Sequence, residues 1–195
     1  MPSFTFDVNA FWTWAVNECT RGNVAYWQSV PQRNQQTING ITYYDCSSFV
    51  FFACWLGGGL DVGALGYNSN LSDYHNGTAN AWNVSMMINS LTYAGFVQYD
   101  PRTEPWQAGD ILAKTRTHTE ICYAPPTQTM GAHNTSRGVS INDFQTGTSY
   151  YDVLLRWPGA TPPGPTPPGP TPPGPTQPMP IWLIKRAIEL QRGGS

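Results

Sequence analysis

The stretch Tyr43-Tyr44-Asp45-Cys46-Ser47-Ser48-Phe49-Val50-Phe51-Phe52 decides the fold, because a polar turn residue here leads directly into apolar sequence. Asp45 is predicted to be a helix N-cap, since its carboxylate can accept a backbone N–H from the first turn. Cys46 then lies in that turn, where free amide groups and the helix macrodipole favour an anion and bias the thiol toward thiolate. The apolar run from Cys46 to Leu56, which stops at Gly57, is predicted to bury this helix against a sheet.

The sequence on either side of this helix predicts further helices first and strands afterwards. Asp7 to Arg21 has apolar residues at helical spacing with Gly22 as a stop, and Thr78 to Tyr93 is a third predicted helix before Gly95. Five segments from Asp110 onward have the pattern of strands: Asp110 to Lys114, His118 to Ala124, Thr129 to His133, Val139 to Ile141 and Tyr151 to Leu155. Helices followed by an antiparallel sheet make an α+β plan.

Composition predicts three parts of the chain. Residues 1–157 are the predicted catalytic domain, and 158–180 are a proline-rich linker with three tandem copies of Thr-Pro-Pro-Gly-Pro from Thr161. Such sequence packs no core and is predicted to be a semi-rigid polyproline II spacer. The short basic tail 181–195 places Ile181, Ile184 and Ile188 on one helical face. Its role is open between a truncated wall-binding module, a surface-seeking basic helix and sequence appended to the natural protein.

Charge and composition exclude several classes of function. The 195 residues carry only 11% charged side chains and a net charge of -2, which leaves no basic field for nucleic acid. No apolar stretch reaches the roughly 18 residues of a transmembrane helix. The N-terminal residues have neither a basic nor an apolar leader region, so we expect no cleaved signal peptide. The four cysteines form no Cys-x-x-Cys pair, and three of them are expected to be small buried apolar residues.

A thiolate nucleophile needs a base, and the chain has three histidines. His75 lies in a turn-rich polar stretch and is expected to face solvent. His118 opens a predicted strand, in which alternation places His118, Glu120 and Cys122 on one face. His133 ends the next strand. If the two strands form a hairpin, His133 can lie beside His118 and accept its ring N–H, the third role in triad chemistry.

Three motif blocks in this order resemble a known family: Tyr44-Asp45-Cys46-Ser47-Ser48, Trp106-Gln107-Ala108-Gly109-Asp110-Ile111-Leu112, and His118-Thr119-Glu120-Ile121 followed by Ala132-His133-Asn134. They are similar to the NlpC/P60 superfamily, and most of all to the phage peptidoglycan hydrolases called amidase family 5. The resemblance covers residues 5–157. It implies a papain-like fold with Cys46 as nucleophile, His118 as base and His133 as orienting residue.

Glu120 departs from the family pattern, because many relatives have glycine two residues after the base. Three roles stay open for its carboxylate: support of His118, recognition of a substrate ammonium group, or capping of a loop. Asp45, beside the nucleophile, is also a candidate contact for a substrate amine. The full set of predicted substrate-binding residues is Tyr44, Asp45, Ser47, Glu120 and Asn134.

The resemblance implies an endolysin that cleaves an amide bond of the bacterial cell-wall stem peptide, with no metal or cofactor. We expect an endopeptidase, and an N-acetylmuramoyl-L-alanine amidase is the alternative on the same fold. A non-catalytic cell-wall-binding protein, a zinc amidase and a transglutaminase-like acyl transferase are further alternatives. The expected partner is bacterial peptidoglycan, met by a monomer that is made in the host cytoplasm and released through a membrane pore to reach the wall.

Overall fold

A computed structural model describes residues 3–143 and 149–159. The predicted tail 181–195, and the predicted linker beyond Gly159, lie outside the described residues. The first helix, α1 (Val8–Thr20), begins at Asp7, whose carboxylate accepts the backbone N–H groups of Asn9 and Ala10. This confirms the predicted first helix. Its buried face consists of Phe11, Trp12 and Ala15.

A small three-stranded sheet follows α1, where no strand was predicted. Its strands are β1 (Val24–Tyr26), β2 (Asn34–Ile38) and β3 (Ile41–Tyr44), in the spatial order β1-β3-β2. The polar sequence of β2 lacks the apolar alternation of a half-buried strand, and its register with β3 shifts between Asn34 and Thr37. The predicted order of helices first and strands afterwards is therefore wrong in this region.

The stretch from Tyr43 to Phe52 contains helix α2 (Cys46–Phe52), which continues into a π-helical turn at Ala53–Gly57. All seven residues of α2 are buried, as the apolar run predicts. A Cβ atom at Gly58 would overlap the ring of Phe6, so the close approach of the N-terminal segment requires glycine there.

Two more helices follow. Helix α3 (Leu71–His75) was not predicted, and α4 (Val84–Ala94) starts six residues later than the predicted Thr78 because its N-cap is Asn83. Gly95 ends α4 in the left-handed conformation, with φ of 113°, and so confirms the predicted stop.

The main sheet has six strands in the order β4-β9-β5-β6-β7-β8, all paired antiparallel. Its strands are β4 (Val97–Tyr99), β5 (Ile111–Lys114), β6 (His118–Ala124), β7 (Gln128–Asn134), β8 (Gly138–Asn142) and β9 (Val153–Arg156). Five of them match predicted strands, and β4 is additional. The chain is thus of the predicted α+β class.

The two faces of this sheet have different neighbours. Ile121 and Tyr123 of β6 belong to the main core with the helices, whereas Cys122 belongs to a second cluster with Leu112 and Tyr151. The predicted alternation along β6 is therefore confirmed. No helix in the described ranges has the length and apolarity needed to cross a membrane.

Candidate active site

The start of α2 is fixed by Asp45, as the sequence predicts. Its Oδ1 accepts the Ser48 backbone N–H at 2.8 Å, and the Ser48 hydroxyl accepts the Asp45 backbone N–H at 2.9 Å. Together these bonds form a capping box. Ser47 lies inside the same turn with the residue 3% exposed, and its hydroxyl donates to the Trp82 carbonyl at 2.7 Å.

Arg33 forms an ion pair with the capping carboxylate. Its Nη2 donates to Asp45 Oδ1 at 3.0 Å, and its Nε lies 2.8 Å from Oδ2. The two side chains are only 14% and 11% exposed. Because the cap and the ion pair occupy both oxygens, the structure does not support the expected contact between Asp45 and a substrate amine. The sequence offered no local signal for Arg33, which lies twelve positions before Asp45.

The sulfur of Cys46 lies at the edge of the core, with the residue 7% exposed. Burial, followed by the charge of Asp45, raises the pKa of the Cys46 thiol to about 12. The backbone N–H groups of Thr119 and Ser47 oppose this rise but do not reverse it. The expectation that the helix terminus biases Cys46 toward thiolate is therefore wrong for the free protein, because desolvation outweighs the helix dipole.

Helix α2 packs against β6 and places Cys46 beside the start of that strand. One of the two backbone N–H groups that favour its thiolate form belongs to Thr119, the residue directly after His118. Within the described residues, no hydrogen bond joins the Cys46 sulfur to the His118 ring. Cys46 thus lies next to the start of β6, where His118 and Thr119 are located.

His118 is held by Glu120 from the same strand. The His118 Nε2–H donates to Glu120 Oε1 at 2.8 Å, and the His118 side chain is 11% exposed. This bond selects the tautomer in which Nδ1 carries the lone pair, and no hydrogen bond among the described residues occupies that nitrogen. Nδ1 is therefore the atom of His118 that is available to take a proton.

The Glu120 carboxylate is completely buried and accepts four hydrogen bonds. His118 Nε2 and His133 Nδ1 donate to Oε1, and the hydroxyl groups of Thr129 and Tyr151 donate to Oε2. Burial alone disfavours the charged form, but the bonds from His118 and His133 outweigh it and hold the pKa of the Glu120 carboxyl well below its usual range. Glu120 is thus a carboxylate with every lone-pair direction satisfied.

The hairpin of β6 and β7 brings His133 close to His118, as predicted, with ring centroids 6.4 Å apart. The predicted direct contact is replaced by a bridge, however, because Glu120 Oε1 lies 2.8 Å from His118 Nε2 and 2.6 Å from His133 Nδ1. Among the three roles that the sequence left open for Glu120, this geometry favours support of His118. His133 supports Glu120 in turn.

Two other residues that were predicted to bind substrate, Tyr44 and Asn134, form hydrogen bonds within the fold. Tyr44 is fully buried, and its hydroxyl donates to Glu18 Oε2 at 2.7 Å. Asn134 caps the turn between β7 and β8, since its Oδ1 accepts the backbone N–H groups of Ser136 and Arg137. Tyr44 and the buried Ser47 are thus bonded within the fold, and Asn134 has a local structural role. Their roles in substrate binding stay predictions.

Aromatic residues near the sulfur were missed by sequence reasoning. The pKa values of Tyr26 and Tyr150 are raised chiefly by burial, and the charge of Cys46 contributes to both, so both phenols lie in its neighbourhood. The Tyr150 ring lies 6.5 Å from the His118 ring, and Lys114 Nζ lies 4.6 Å from the Tyr150 centroid. Tyr26 and Tyr150 come from distant parts of the chain, so no local motif points to them.

His118, Glu120 and His133 each bring one potential metal-ligand atom to within 4.8 Å of the others. Hydrogen bonds at 2.8 and 2.6 Å to a single carboxylate oxygen already explain this convergence. The zinc alternative needed two histidines and a cysteine, and the described cluster has a carboxylate where that alternative has sulfur. All four cysteines are free thiols.

A cavity of about 570 Å³ lies elsewhere, between the N-terminal segment and Trp157. None of the predicted catalytic residues lines it. The cavity is thus separate from the cluster of His118, Glu120 and His133.

Comparisons of the chain with protein-family models, with curated proteins and with solved structures find no match.

Proposed function

We propose that the chain is a peptidoglycan hydrolase of the cysteine class. Support comes from one arrangement: Cys46 at the start of a buried helix, beside a strand end where Glu120 holds His118 Nε2 and leaves Nδ1 for the proton. A nucleophile, a base and a group that orients the base are the parts of a nucleophilic triad. The choice of peptidoglycan as substrate is supported by the resemblance of three motif blocks to NlpC/P60 hydrolases.

In the proposed reaction, the Cys46 thiol transfers its proton to His118 Nδ1 as the sulfur attacks an amide carbonyl of the stem peptide. The oxyanion accepts hydrogen bonds from the first turn of α2, whose N–H groups have no partners within the helix. The carbon–nitrogen bond then breaks, and His118 gives the proton to the leaving amine. Water, deprotonated by His118, cleaves the thioester and restores the thiol.

The decisive test is hydrolysis of purified sacculi by the full chain and by Cys46→Ala. We expect wild type to clear the suspension and Cys46→Ala to be inactive. Cys19→Ala is the matched control, since Cys19 is a free thiol on α1 outside the triad, and we expect it to keep wild-type activity. Far-UV circular dichroism checks that the variants fold. Undiminished clearing by Cys46→Ala contradicts the proposal, and binding to sacculi without any turnover by wild type favours a wall-binding protein.

The bond that is cut is identified by mass spectrometry of the released fragments. We expect cleavage within the stem peptide, as in an endopeptidase. Release of intact stem peptides identifies an N-acetylmuramoyl-L-alanine amidase instead. Loss of activity with iodoacetamide but not with a chelator separates the cysteine mechanism from the zinc alternative.

A further inference from the structure

His133 is bonded at both ring nitrogens to acceptors. Its Nε2 lies 2.9 Å from the backbone carbonyl oxygen of Ser140, a group that only accepts hydrogen bonds. Nε2 must therefore carry a hydrogen. Its Nδ1 lies 2.6 Å from Glu120 Oε1, so a second proton is needed between these two atoms.

That second proton belongs on His133, because imidazole is a stronger base than a carboxylate that accepts several further hydrogen bonds. Those further bonds come from His118, Thr129 and Tyr151. A carboxylate that accepts several hydrogen bonds in a buried site is strongly favoured in its charged form. With an ionised Glu120, both nitrogens of His133 carry hydrogen, and the ring is a cation.

We propose that His133 is held as an imidazolium that neutralises Glu120, so that His118 is oriented by a net-neutral pair and stays uncharged until Cys46 gives it a proton. His133 is a positioning residue, since it acts on His118 through Glu120. The ionic state of His133 is independent of the proposed hydrolase activity, whereas its effect on rate rests on that activity.

Glu18 on α1 is another carboxylate on an element packed against β7, and it is paired with Arg21 and Tyr44. Other titratable groups on the elements around His118 and His133 include Cys19 on α1, Tyr26 on β1, Cys46 on α2, Lys114 on β5, Glu120 on β6, and Tyr150 and Tyr151 before β9. Burial raises the pKa of each of these thiols and phenols, so they are neutral near pH 7. Glu120 is the anion that His133 faces.

A neutral pair of Glu120 and His133 is consistent with a Cys46 nucleophile that rests as a neutral thiol. A carboxylate without a counter-cation stabilises a protonated histidine beside it, and a protonated His118 cannot act as base. With Glu120 neutralised from behind, His118 keeps the Nδ1 lone pair that a neutral Cys46 thiol requires.

The ionic state of His133 is tested directly by ¹⁵N–¹H NMR of the three histidine rings in the full chain. We expect His133 to keep hydrogen on both nitrogens at pH 8. His75 is the internal reference, since burial lowers its pKa and it is uncharged at that pH. Rings are assigned with His75→Gln and His133→Asn. A His133 ring with one hydrogen at pH 8 overturns the proposal, whether or not the protein hydrolyses peptidoglycan.

The effect on catalysis is tested with His133→Asn, whose amide can still donate to Glu120 but carries no charge. We expect the acidic limb of the pH profile of kcat/KM to move to higher pH by about one unit, because Glu120 without its counter-cation stabilises protonated His118. One unit is the low end of the range for loss of a nearby charge. In a Glu120→Gln background the same substitution should leave the limb in place. A His133→Asn variant with a lower kcat and an unmoved limb would show a purely structural role. Inactivity of the wild-type protein would contradict the proposed hydrolase function but would not affect the NMR test of the ionic state of His133.

Discussion

At the scale of single residues, the reactivity of Cys46 is decided by burial rather than by its place in a helix. A rise in the thiol pKa from 9.0 to about 12 corresponds to about 4 kcal/mol at about 1.4 kcal/mol per unit. A helix N-terminus contributes about 0.3–1 kcal/mol in favour of an anion at an exposed site and up to about 2 kcal/mol at a partly buried one, which is less than this cost. The resting nucleophile is therefore a thiol, and its activation depends on His118.

Alkylation of Cys46 by iodoacetamide tests this directly. Because the thiol pKa is raised to about 12, the thiolate fraction should still be increasing at pH 9. We expect the logarithm of the alkylation rate to rise steadily from pH 7 to pH 9 without a plateau, as measured by mass spectrometry of the peptide that contains Cys46. A plateau below pH 8 would show the thiolate bias that the sequence alone predicts.

At the scale of elements, the N-terminus of α2 joins a cap to a buried ion pair. Asp45 accepts the Ser48 N–H and faces Arg33, whereas Asp7 at the start of α1 is an exposed cap that accepts the N–H groups of Asn9 and Ala10. Removal of the exposed Asp7 cap affects only the hydrogen bonds of the first turn of α1. Removal of Asp45 also leaves the Arg33 cation without its partner, which is the costly part of breaking a buried pair.

We expect Asp45→Ala to lower the free energy of unfolding by about 3–5 kcal/mol, the range for breaking a buried ion pair. Asp7→Ala is the matched control and should cost only about 0.5–2 kcal/mol. Urea denaturation followed by circular dichroism measures both. Equal costs for the two variants would mean that the Arg33 pair adds nothing to the cap.

At the scale of the whole molecule, the two ends of the described fold pack together. The centroid of the Phe6 ring lies 5.0 Å from that of Phe96 and 5.5 Å from that of Trp157, and the Phe96 and Trp157 centroids are 5.2 Å apart. Trp157 follows β9 directly, so this cluster fixes the end of the main sheet to the N-terminal segment.

We expect Trp157→Ala to lower the free energy of unfolding by about 2–4 kcal/mol, near the lower part of the range for large aromatic deletions because the ring is only half-buried. Tyr93→Ala, at a residue 60% exposed, should change it by about 0.5 kcal/mol, as is usual on a surface. Urea denaturation of the full chain measures both. A Trp157→Ala variant as stable as Tyr93→Ala would show that the cluster does not hold the ends together.

The sequence by itself determined the elements whose signals are local. The helix starting at Cys46 and the strands from Ile111 onward follow from caps, stop glycines and apolar period. The candidate pair of Cys46 and His118 follows from residue type and from the resemblance of the motif blocks. The strand β2 and the helix α3 were missed, because a polar strand and a five-residue helix carry little periodic signal. Local propensity is a weak guide where tertiary packing supplies the stability.

Only the tertiary structure decided the electrostatics of the site. Glu120 meets Tyr151 across 31 positions, and Arg33 meets Asp45 across 12, so the residues that support these two carboxylates belong to no shared motif. Burial of the Cys46 sulfur likewise depends on how α2 lies against β6. Charge stabilisation depends on distance and desolvation in space, and neither is encoded by spacing along the chain.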